Sequence, residues 1–256
     1  MPYTLSNRRV LVTGGSRGLG ARICQKFARE GAHVMVNYVS NETRARQVVD
    51  KVQSFGVKAF MVQGDAGNAD HNARIVKETV EKLGGLDIIV ANAGWTRLSD
   101  FGDLNALCLE EWNKCYATNA LCHLQLMQAA GPIFNANSEG GVYLITSSIA
   151  GSTQSGSSMA YAVSKAAGLH LMKCIAATQG PKLRMNAILP GQLLTEWGLQ
   201  FTEEQIAQEQ NDSVLKHETY LSDCADVYVW VAKNTSMTGQ EITVDAGLTL
   251  SWSSAI

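Results

Sequence analysis

The chain has 256 residues, a length that suits one α/β domain. Apolar residues make up 46% and charged residues 17% of the chain, which argues against disorder and for a large core. A formal net charge of −2 provides no excess of positive charge for binding nucleic acid or an acidic membrane surface, so we expect neither partner. We treat residues 1–256 as a single domain.

Short apolar runs alternate with amphipathic stretches along the chain. The predicted strands are Arg9–Val12, His33–Asn37, Ala59–Gln63, Asp87–Ala91, Gly141–Ser147, Arg184–Leu189 and Glu241–Asp245. The first predicted helix ends at Glu30. The others cover Glu42–Phe55 and about 70–83, 110–135, 158–178 and 223–233. This alternation predicts an α/β fold with a doubly wound parallel sheet of about seven strands and helices on both faces. Residues 192–221 are the one long connection, with an amphipathic piece near Thr202–Gln210, and such loops are usually lids or binding loops.

A glycine-rich loop separates the first strand from the first helix. It contains Gly14, Ser16, Arg17, Gly18, Leu19 and Gly20. Glycines there permit a tight turn and let backbone N–H groups and a helix N-terminus approach a pyrophosphate. The alternative is a purely structural turn. The position after the first strand of a βαβ unit favours a dinucleotide site of the Rossmann type.

The end of the second strand bears on the choice of dinucleotide. NAD sites of this type carry an acidic residue there, which binds the ribose 2′-hydroxyl. This strand ends at Asn37, a candidate cofactor contact, and no carboxylate follows before Glu42. Arg17 is available to meet a 2′-phosphate, although it can also be an ordinary surface arginine. The pattern therefore favours NADP(H), with NAD(H) as the alternative.

Tyr161 and Lys165 stand at positions i and i+4 of a predicted helix, so their side chains share one face. A tyrosine with a pKa of about 10 needs a neighbouring cation to act as an acid/base near neutral pH. A lone pair of this kind arises easily by chance, as a packed tyrosine beside a surface lysine. Ser147 and Ser148 end the fifth strand at the edge that also holds the glycine loop, which favours a catalytic interpretation.

Together these residues resemble the short-chain dehydrogenase/reductase family, in its compact single-domain type, from Val10 to about Gly247. The motifs that carry the resemblance are Thr13–Gly20, Ala91–Gly94, Ala117–Ala120, Tyr161–Lys165, Arg184–Gly191 and Gly239–Gly247. Ser148, rather than Ser147, stands at the family's usual spacing before Tyr161. Ala91 and Ala246 depart from the common pattern, outside the catalytic residues.

The resemblance implies a role for each matching residue. Tyr161 exchanges the proton, Lys165 lowers the pKa of Tyr161 and binds the nicotinamide ribose, and Ser148 orients the carbonyl. Asn119 holds a water of the proton relay through a local distortion of its helix. The other implied cofactor contacts are Asp65 at the adenine, Asn92, Ala93 and Gly94 along the cofactor, Pro190 and Gly191 after the sixth strand, and Thr195 at the carboxamide.

The expected function is therefore an NADP(H)-dependent oxidoreductase that interconverts a carbonyl and a secondary alcohol, working as a reductase on a small molecule. An isomerase, dehydratase or cyclase of the same fold is the first alternative, and a non-catalytic dinucleotide-binding subunit is the second. The intact set of Asn119, Ser148, Tyr161 and Lys165 favours the oxidoreductase. The family also implies a homotetramer or dimer, built partly from the helices near 110–135 and 158–178.

The compartment and the substrate are less constrained. The first residues lack the apolar stretch of a signal peptide, and the six cysteines show no metal-ligand spacing, which predicts a cytoplasmic protein without a metal. The loop 192–221 matches nothing informative. Trp95, Leu193 and Trp197 are candidates for an apolar substrate wall, or for ordinary packing.

Overall fold

The computed structural model describes residues 3–253. Its strands are β1 (Arg9–Val12), β2 (His33–Tyr38), β3 (Ala59–Gln63), β4 (Ile88–Ala91), β5 (Gly141–Thr146), β6 (Leu183–Pro190) and β7 (Glu241–Val244). Its α-helices are α1 (Gly18–Arg29), α2 (Glu42–Gln53), α3 (Ala69–Leu83), α4 (Leu109–Tyr116), α5 (Cys122–Ala136), α6 (Met159–Gln179), α7 (Glu203–Asp212), α8 (Leu221–Lys233) and α9 (Leu248–Ser253).

The strands form one parallel sheet in the order β3-β2-β1-β4-β5-β6-β7. The chain winds outwards from β1 through β2 to β3, then returns to pair β4 with the other side of β1. At such a switch point the connections on the two sides diverge and leave a crevice outside the carboxyl ends of the strands. The predicted doubly wound sheet of Rossmann type is confirmed.

The core has two layers because successive strand residues point to opposite faces of the sheet. Val10 and Val12 join a cluster beneath α1, α2 and α8, whereas Leu11 joins one beneath α3, α5 and α6. Phe27 and Tyr143 are among the largest fully buried side chains of the two clusters. Each such side chain contributes about 1.5–3 kcal/mol of burial free energy. The sheet edge that carries the crevice is therefore held by a rigid two-sided core.

Several helix boundaries in the structure differ from those predicted from the sequence. The helix expected over 110–135 is divided into α4, a π-helical turn at Ala117–Leu121, and α5. The helix α8 begins before the predicted residue 223, and α9 follows the last strand without having been predicted. The amphipathic piece near Thr202–Gln210 forms α7. Among residues 3–253, no helix combines the length and apolarity that a membrane crossing requires.

Candidate active site

The glycine loop has the shape of an anion cradle. Gly14 and Gly18 adopt positive φ angles of 60° and 51°, a backbone region that residues with a Cβ atom avoid. A Cβ on Gly20 would lie 2.3 Å from the carbonyl oxygen of Gly14, so no larger residue fits there. The helix α1 starts directly after Arg17, whose side chain does not cap it. Its first N–H groups therefore point out of the loop toward the crevice, where a pyrophosphate would bind.

Two asparagine amides hold this loop in place. The Asn37 side chain is fully buried: its Oδ1 accepts from the Gly14 N–H at 3.2 Å, and its Nδ2 donates to the Gly64 carbonyl at 2.9 Å. Asn92, after β4, donates from Nδ2 to the carbonyls of Thr13 and Gly14 at 3.1 and 3.2 Å. The structure thus places Asn37 beneath the loop and engages its amide there, so its side chain shapes the cradle from below.

The exposed side of the cradle carries two arginines. Arg17 is 62% exposed, and Arg44, in the first turn of α2, is 42% exposed. Asn41 caps α2 by accepting from the Arg44 N–H at 2.9 Å, which fixes the start of that turn. Both guanidinium groups bind the carboxylate of Glu196, at 2.9 Å from Arg17 and 2.7 Å from Arg44. Arg44 was not among the predicted residues, although the asparagine cap after β2 was a signal that placed it at this sheet edge.

The catalytic candidates come together at the ends of β4 and β5. Lys165 is 4% exposed, and its Nζ donates to the Thr146 carbonyl at 2.7 Å and lies 5.5 Å from the centre of the Tyr161 ring. Ser158 caps α6 by accepting from the Tyr161 N–H at 3.2 Å, which sets the register of this helix face. Ser148 follows β5 and its Oγ accepts from the Ala150 N–H at 3.2 Å.

Burial controls the protonation of this pair. Loss of solvation raises the pKa of Tyr161 to about 12, against a smaller lowering by the Ser148 hydroxyl. The same loss of solvation lowers the pKa of Lys165 to about 8. Burial of the phenol beside Trp197 governs the pKa of Tyr161 here, and the expected lowering of that pKa by Lys165 stays a prediction. Tyr161 holds its proton near neutral pH.

Asn119 lies in the π-helical turn, so the expected local distortion of its helix is present. Its side chain is 1% exposed and makes two hydrogen bonds with the Trp95 backbone. Its Oδ1 accepts from the Trp95 N–H at 2.9 Å, and its Nδ2 donates to the Trp95 carbonyl at 2.8 Å. The Nδ2 also donates to Ser164 Oγ at 2.9 Å. The side chain of Asn119 thus fixes the segment that follows Gly94.

The remaining predicted residues line the same crevice or support it. Ala93 donates its N–H to Thr13 Oγ1 at 3.0 Å, and a Cβ on Gly94 would lie 3.6 Å from Lys165 Nζ. Asp65 follows β3 and accepts from the Gly67 N–H at 2.8 Å. Pro190 ends β6, directly before Gly191. Leu19 is buried in the core and Ser16 is partly exposed in the loop.

The loop after β6 crosses the crevice. Thr195 lies against Gly18, with its Cβ and Cγ2 3.4 Å from the position of a Cβ on that glycine. The Trp197 ring packs beside Tyr161, with 5.9 Å between the ring centres. Its Cη2 lies 3.6 Å from the Cβ position of Gly94. The structure thus brings the glycine loop, the Tyr161 and Lys165 pair and this loop to one crevice at the β1/β4 switch point.

Within residues 3–253, no group of three or more histidine, cysteine or acidic side chains is arranged to hold a metal ion. The donors that converge on the crevice are backbone N–H groups, two guanidinium groups and a buried ammonium. These groups suit a phosphate-bearing dinucleotide, so the residues present fit the cofactor that the fold implies.

The comparisons agree with this geometry. A family profile described as enoyl-(acyl carrier protein) reductase matches residues 14–249. The 3-oxoacyl-[acyl-carrier-protein] reductase FabG of Staphylococcus aureus is 30% identical over 94% of this chain and 98% of its own. The short chain dehydrogenase/reductase AacuN of Aspergillus aculeatus is 30% identical over 96% of this chain and 97% of its own. A short chain dehydrogenase from Burkholderia cenocepacia, solved in complex with NADP, is 29% identical, covers 96% of this chain and 100% of its own, and has a TM-score of 0.89.

Proposed function

Because the chain belongs to the short-chain dehydrogenase/reductase family, we propose that it is an NADP(H)-dependent reductase that converts a ketone to a secondary alcohol, with Tyr161 as the general acid. The observation that carries the proposal is the partly buried Tyr161 beside the buried Lys165, in the crevice that the glycine loop also borders. The bound nicotinamide supplies the hydride in this chemistry. A substrate of the ketone class also agrees with the name of the 3-oxoacyl reductase relative.

The proton on Tyr161 supports a role as a reductase. Reduction of a carbonyl needs a proton donor at the oxygen, and a phenol with a pKa of about 12 is protonated throughout the neutral range. In this proposal the Ser148 hydroxyl, which lowers the pKa of Tyr161, orients the carbonyl oxygen. Lys165, with a pKa of about 8, is an ammonium at neutral pH and stabilises the phenolate left after proton transfer. Oxidation needs the phenolate, so its rate should rise with pH.

The preference for NADP(H) rests on Arg17 and Arg44. Two guanidinium groups that converge on one carboxylate can bind a 2′-phosphate in the same way, since both ligands offer anionic oxygens to a planar donor fork. The second strand offers no carboxylate for a 2′-hydroxyl, since its last two residues are the buried Asn37 and Tyr38.

The catalytic proposal is tested with Tyr161→Phe. The purified protein is titrated with NADPH and NADH, and the tighter cofactor is used to screen a panel of 3-oxoacyl thioesters and of cyclic and aromatic ketones. We expect the variant to bind NADPH as the wild type does and to lose turnover by about a thousandfold or more. Tyr116→Phe, an exposed tyrosine elsewhere, is the matched control. Equal turnover in Tyr161→Phe and wild type would refute the role of Tyr161.

The cofactor proposal is tested with the double variant Arg17→Ala and Arg44→Ala. We expect NADPH affinity to fall about tenfold or more while NADH affinity changes little, because only the former offers a 2′-phosphate. Arg46→Ala is the control, since Arg46 pairs with Glu42 on the same helix instead. Tighter binding of NADH than of NADPH by the wild type would overturn the preference.

We also propose that the protein is a homo-oligomer, a tetramer or a dimer, of the cytoplasm. Five large apolar side chains are exposed along α4, α5, α6 and the turn between α4 and α5, namely Leu109, Tyr116, Leu121, Leu124 and Val163. An exposed apolar patch of this kind is typical of a protein interface. Light scattering after size-exclusion chromatography tests the oligomeric state: a monomer at micromolar concentration would contradict the proposal.

The cytoplasmic location is supported by the six unpaired cysteines, and localisation of a tagged chain tests it.

A further inference from the structure

Residues 195–197 form a compact turn that lies inside the crevice. The Thr195 carbonyl accepts from the Leu199 N–H at 2.8 Å, and Thr195 Oγ1 accepts from the Trp197 N–H at 3.3 Å. Both bonds lie within residues 195–199, so they restrain the backbone at Glu196 and Trp197. A movement of the turn as a whole therefore carries both side chains.

The two side chains occupy opposite halves of the crevice. Glu196 lies on Arg17 and Arg44, the groups assigned above to the 2′-phosphate. The Trp197 ring lies beside Tyr161, and its Cη2 and Lys165 Nζ are both 3.6 Å from the Cβ position of Gly94. The turn thus contacts the residues that a bound dinucleotide would need at both ends.

The contacts of Glu196 are easily exchanged. Its side chain is 51% exposed, and both arginine partners are exposed as well, so water solvates all three groups when the pairs separate. Exposed ion pairs contribute little net free energy, whereas a phosphate brings more anionic oxygens and charge to the same guanidinium groups. An arriving 2′-phosphate therefore replaces the carboxylate rather than adding to it.

We propose that Glu196 is a cofactor-specificity residue that competes internally for Arg17 and Arg44 and is displaced by the 2′-phosphate, so that the turn withdraws Trp197 from Tyr161. This inference rests on the proposed NADP(H) function. A dinucleotide without the 2′-phosphate leaves the Glu196 ion pairs intact and lacks the phosphate contacts that displace this carboxylate, since a ligand moves an equilibrium only by its differential affinity for the two states. The turn therefore adds to the discrimination that the arginines provide directly.

The test uses two adenosine probes that reach only the adenosine half of the crevice. Wild type and Glu196→Gln are titrated with adenosine 2′,5′-bisphosphate and with adenosine 5′-monophosphate by calorimetry, and tryptophan emission is recorded in parallel. We expect the variant to bind the bisphosphate about three- to tenfold more tightly, because the competitor is gone, and to bind the monophosphate equally. In wild type, the bisphosphate should change tryptophan emission and the monophosphate should not.

Two controls make the readouts specific. Glu204→Gln removes the same charge from an exposed position of α7, and among residues 3–253 no ion pair involves Glu204; its affinities should match wild type. Trp197→Phe should abolish the emission change while keeping the binding. Equal bisphosphate affinity in wild type and Glu196→Gln, or an unchanged emission in wild type, would overturn the inference and leave the NADP(H) preference standing. If the bisphosphate binds no better than the monophosphate to either protein, the preference itself is wrong and the inference falls with it.

Discussion

Two loops border the crevice, and they are held in opposite ways. The glycine loop is fixed from beneath by the buried amide of Asn37 and from the side by Asn92, with backbone contacts too close for any added Cβ at Gly20. The turn at residues 195–197 is anchored to the arginines by ion pairs that are about half exposed. Both loops border the surface that we propose binds the cofactor.

The difference separates two tasks. Buried hydrogen bonds are expensive to leave unmade, so the glycine loop keeps one shape whether or not a ligand is present. Exposed ion pairs exchange partners at little cost, so the turn can leave the crevice. If this contrast holds, substitutions in the glycine loop reduce the stability of the fold. Substitutions around the turn at residues 195–197 change ligand binding with little effect on stability.

The largest effect is expected for Gly20→Ala. Its Cβ would lie 2.3 Å from the Gly14 carbonyl oxygen and 2.6 Å from Asn92 Nδ2, so the loop must shift. We expect a loss of about 2–4 kcal/mol in the free energy of unfolding by urea, together with weakened cofactor binding. Gly131→Ala in α5 is the control, because nothing lies within 4 Å of its Cβ position. That substitution should stabilise the helix by about 0.5–1 kcal/mol. Equal stability of the two variants would break the comparison.

Asn37→Asp comes next. The carboxylate would face the Val62 and Gly64 carbonyls, to which the amide Nδ2 now donates, in a fully buried position. We expect a destabilisation of about 2–4 kcal/mol and no gain in NADH affinity. Asn41→Asp, an exposed cap of α2, should stay within about 0.5 kcal/mol of wild type, since aspartate caps equally well. A stable Asn37→Asp protein that prefers NADH would show that this side chain reaches the ribose.

Lys165→Met tests the cost of burying the ammonium group of Lys165 in the site. The folded state lowers the pKa of Lys165 from 10.5 to about 8, so it favours the neutral amine. The cost of burying the ammonium is therefore complete below pH 8 and disappears as the pH rises through 10.5. Unfolding by urea should show Lys165→Met at its most favourable relative to wild type at pH 6.5, with that advantage smaller by about 1–2 kcal/mol at pH 9.5. Turnover should be lost at both pH values.

The control for this pH dependence is Lys173→Met, an exposed lysine of the same helix that pairs with Glu241. It should alter stability by less than about 0.5 kcal/mol at either pH. A stability difference between Lys165→Met and wild type that does not vary with pH would mean that the lysine is not desolvated.

The smallest effect on stability is expected for Arg17→Ala. The side chain is 62% exposed and pairs only with the half-exposed Glu196 among the described ion pairs. The free energy of unfolding should change by less than about 0.5 kcal/mol. A loss of 2 kcal/mol or more in urea unfolding would place the arginine in the rigid part of the site and contradict the contrast between the loops.

The order of elements could be predicted from the sequence because the signals are local. Apolar runs such as the one after Arg9, and glycines such as Gly31 that end helices, mark strands and helices without knowledge of the fold. The glycine loop was placed at the sheet edge for the same reason, since its position between the first strand and helix determines it. Tyr161 and Lys165 were paired by helical spacing alone.

The rest depends on contacts between distant segments. Asn37 was predicted to face the cofactor, but whether a strand end is covered depends on where Gly64 lies in the fold. The pairing of Arg44 with Arg17 through Glu196 joins three separate loops and leaves no periodic signal. The raised pKa of Tyr161 comes from burial beside Trp197, which a list of neighbours along the chain does not contain.

The position of β1 between β2 and β4 has a consequence for folding kinetics. β1 meets β2 after one intervening helix, but it meets β4 only after three, and the entropy of loop closure grows with the length of chain enclosed. Asn92 reaches the glycine loop from the end of β4, so the loop receives this support only when the distant pairing has formed. In refolding experiments we expect helical circular dichroism to recover first and NADPH fluorescence enhancement to appear with the slowest phase.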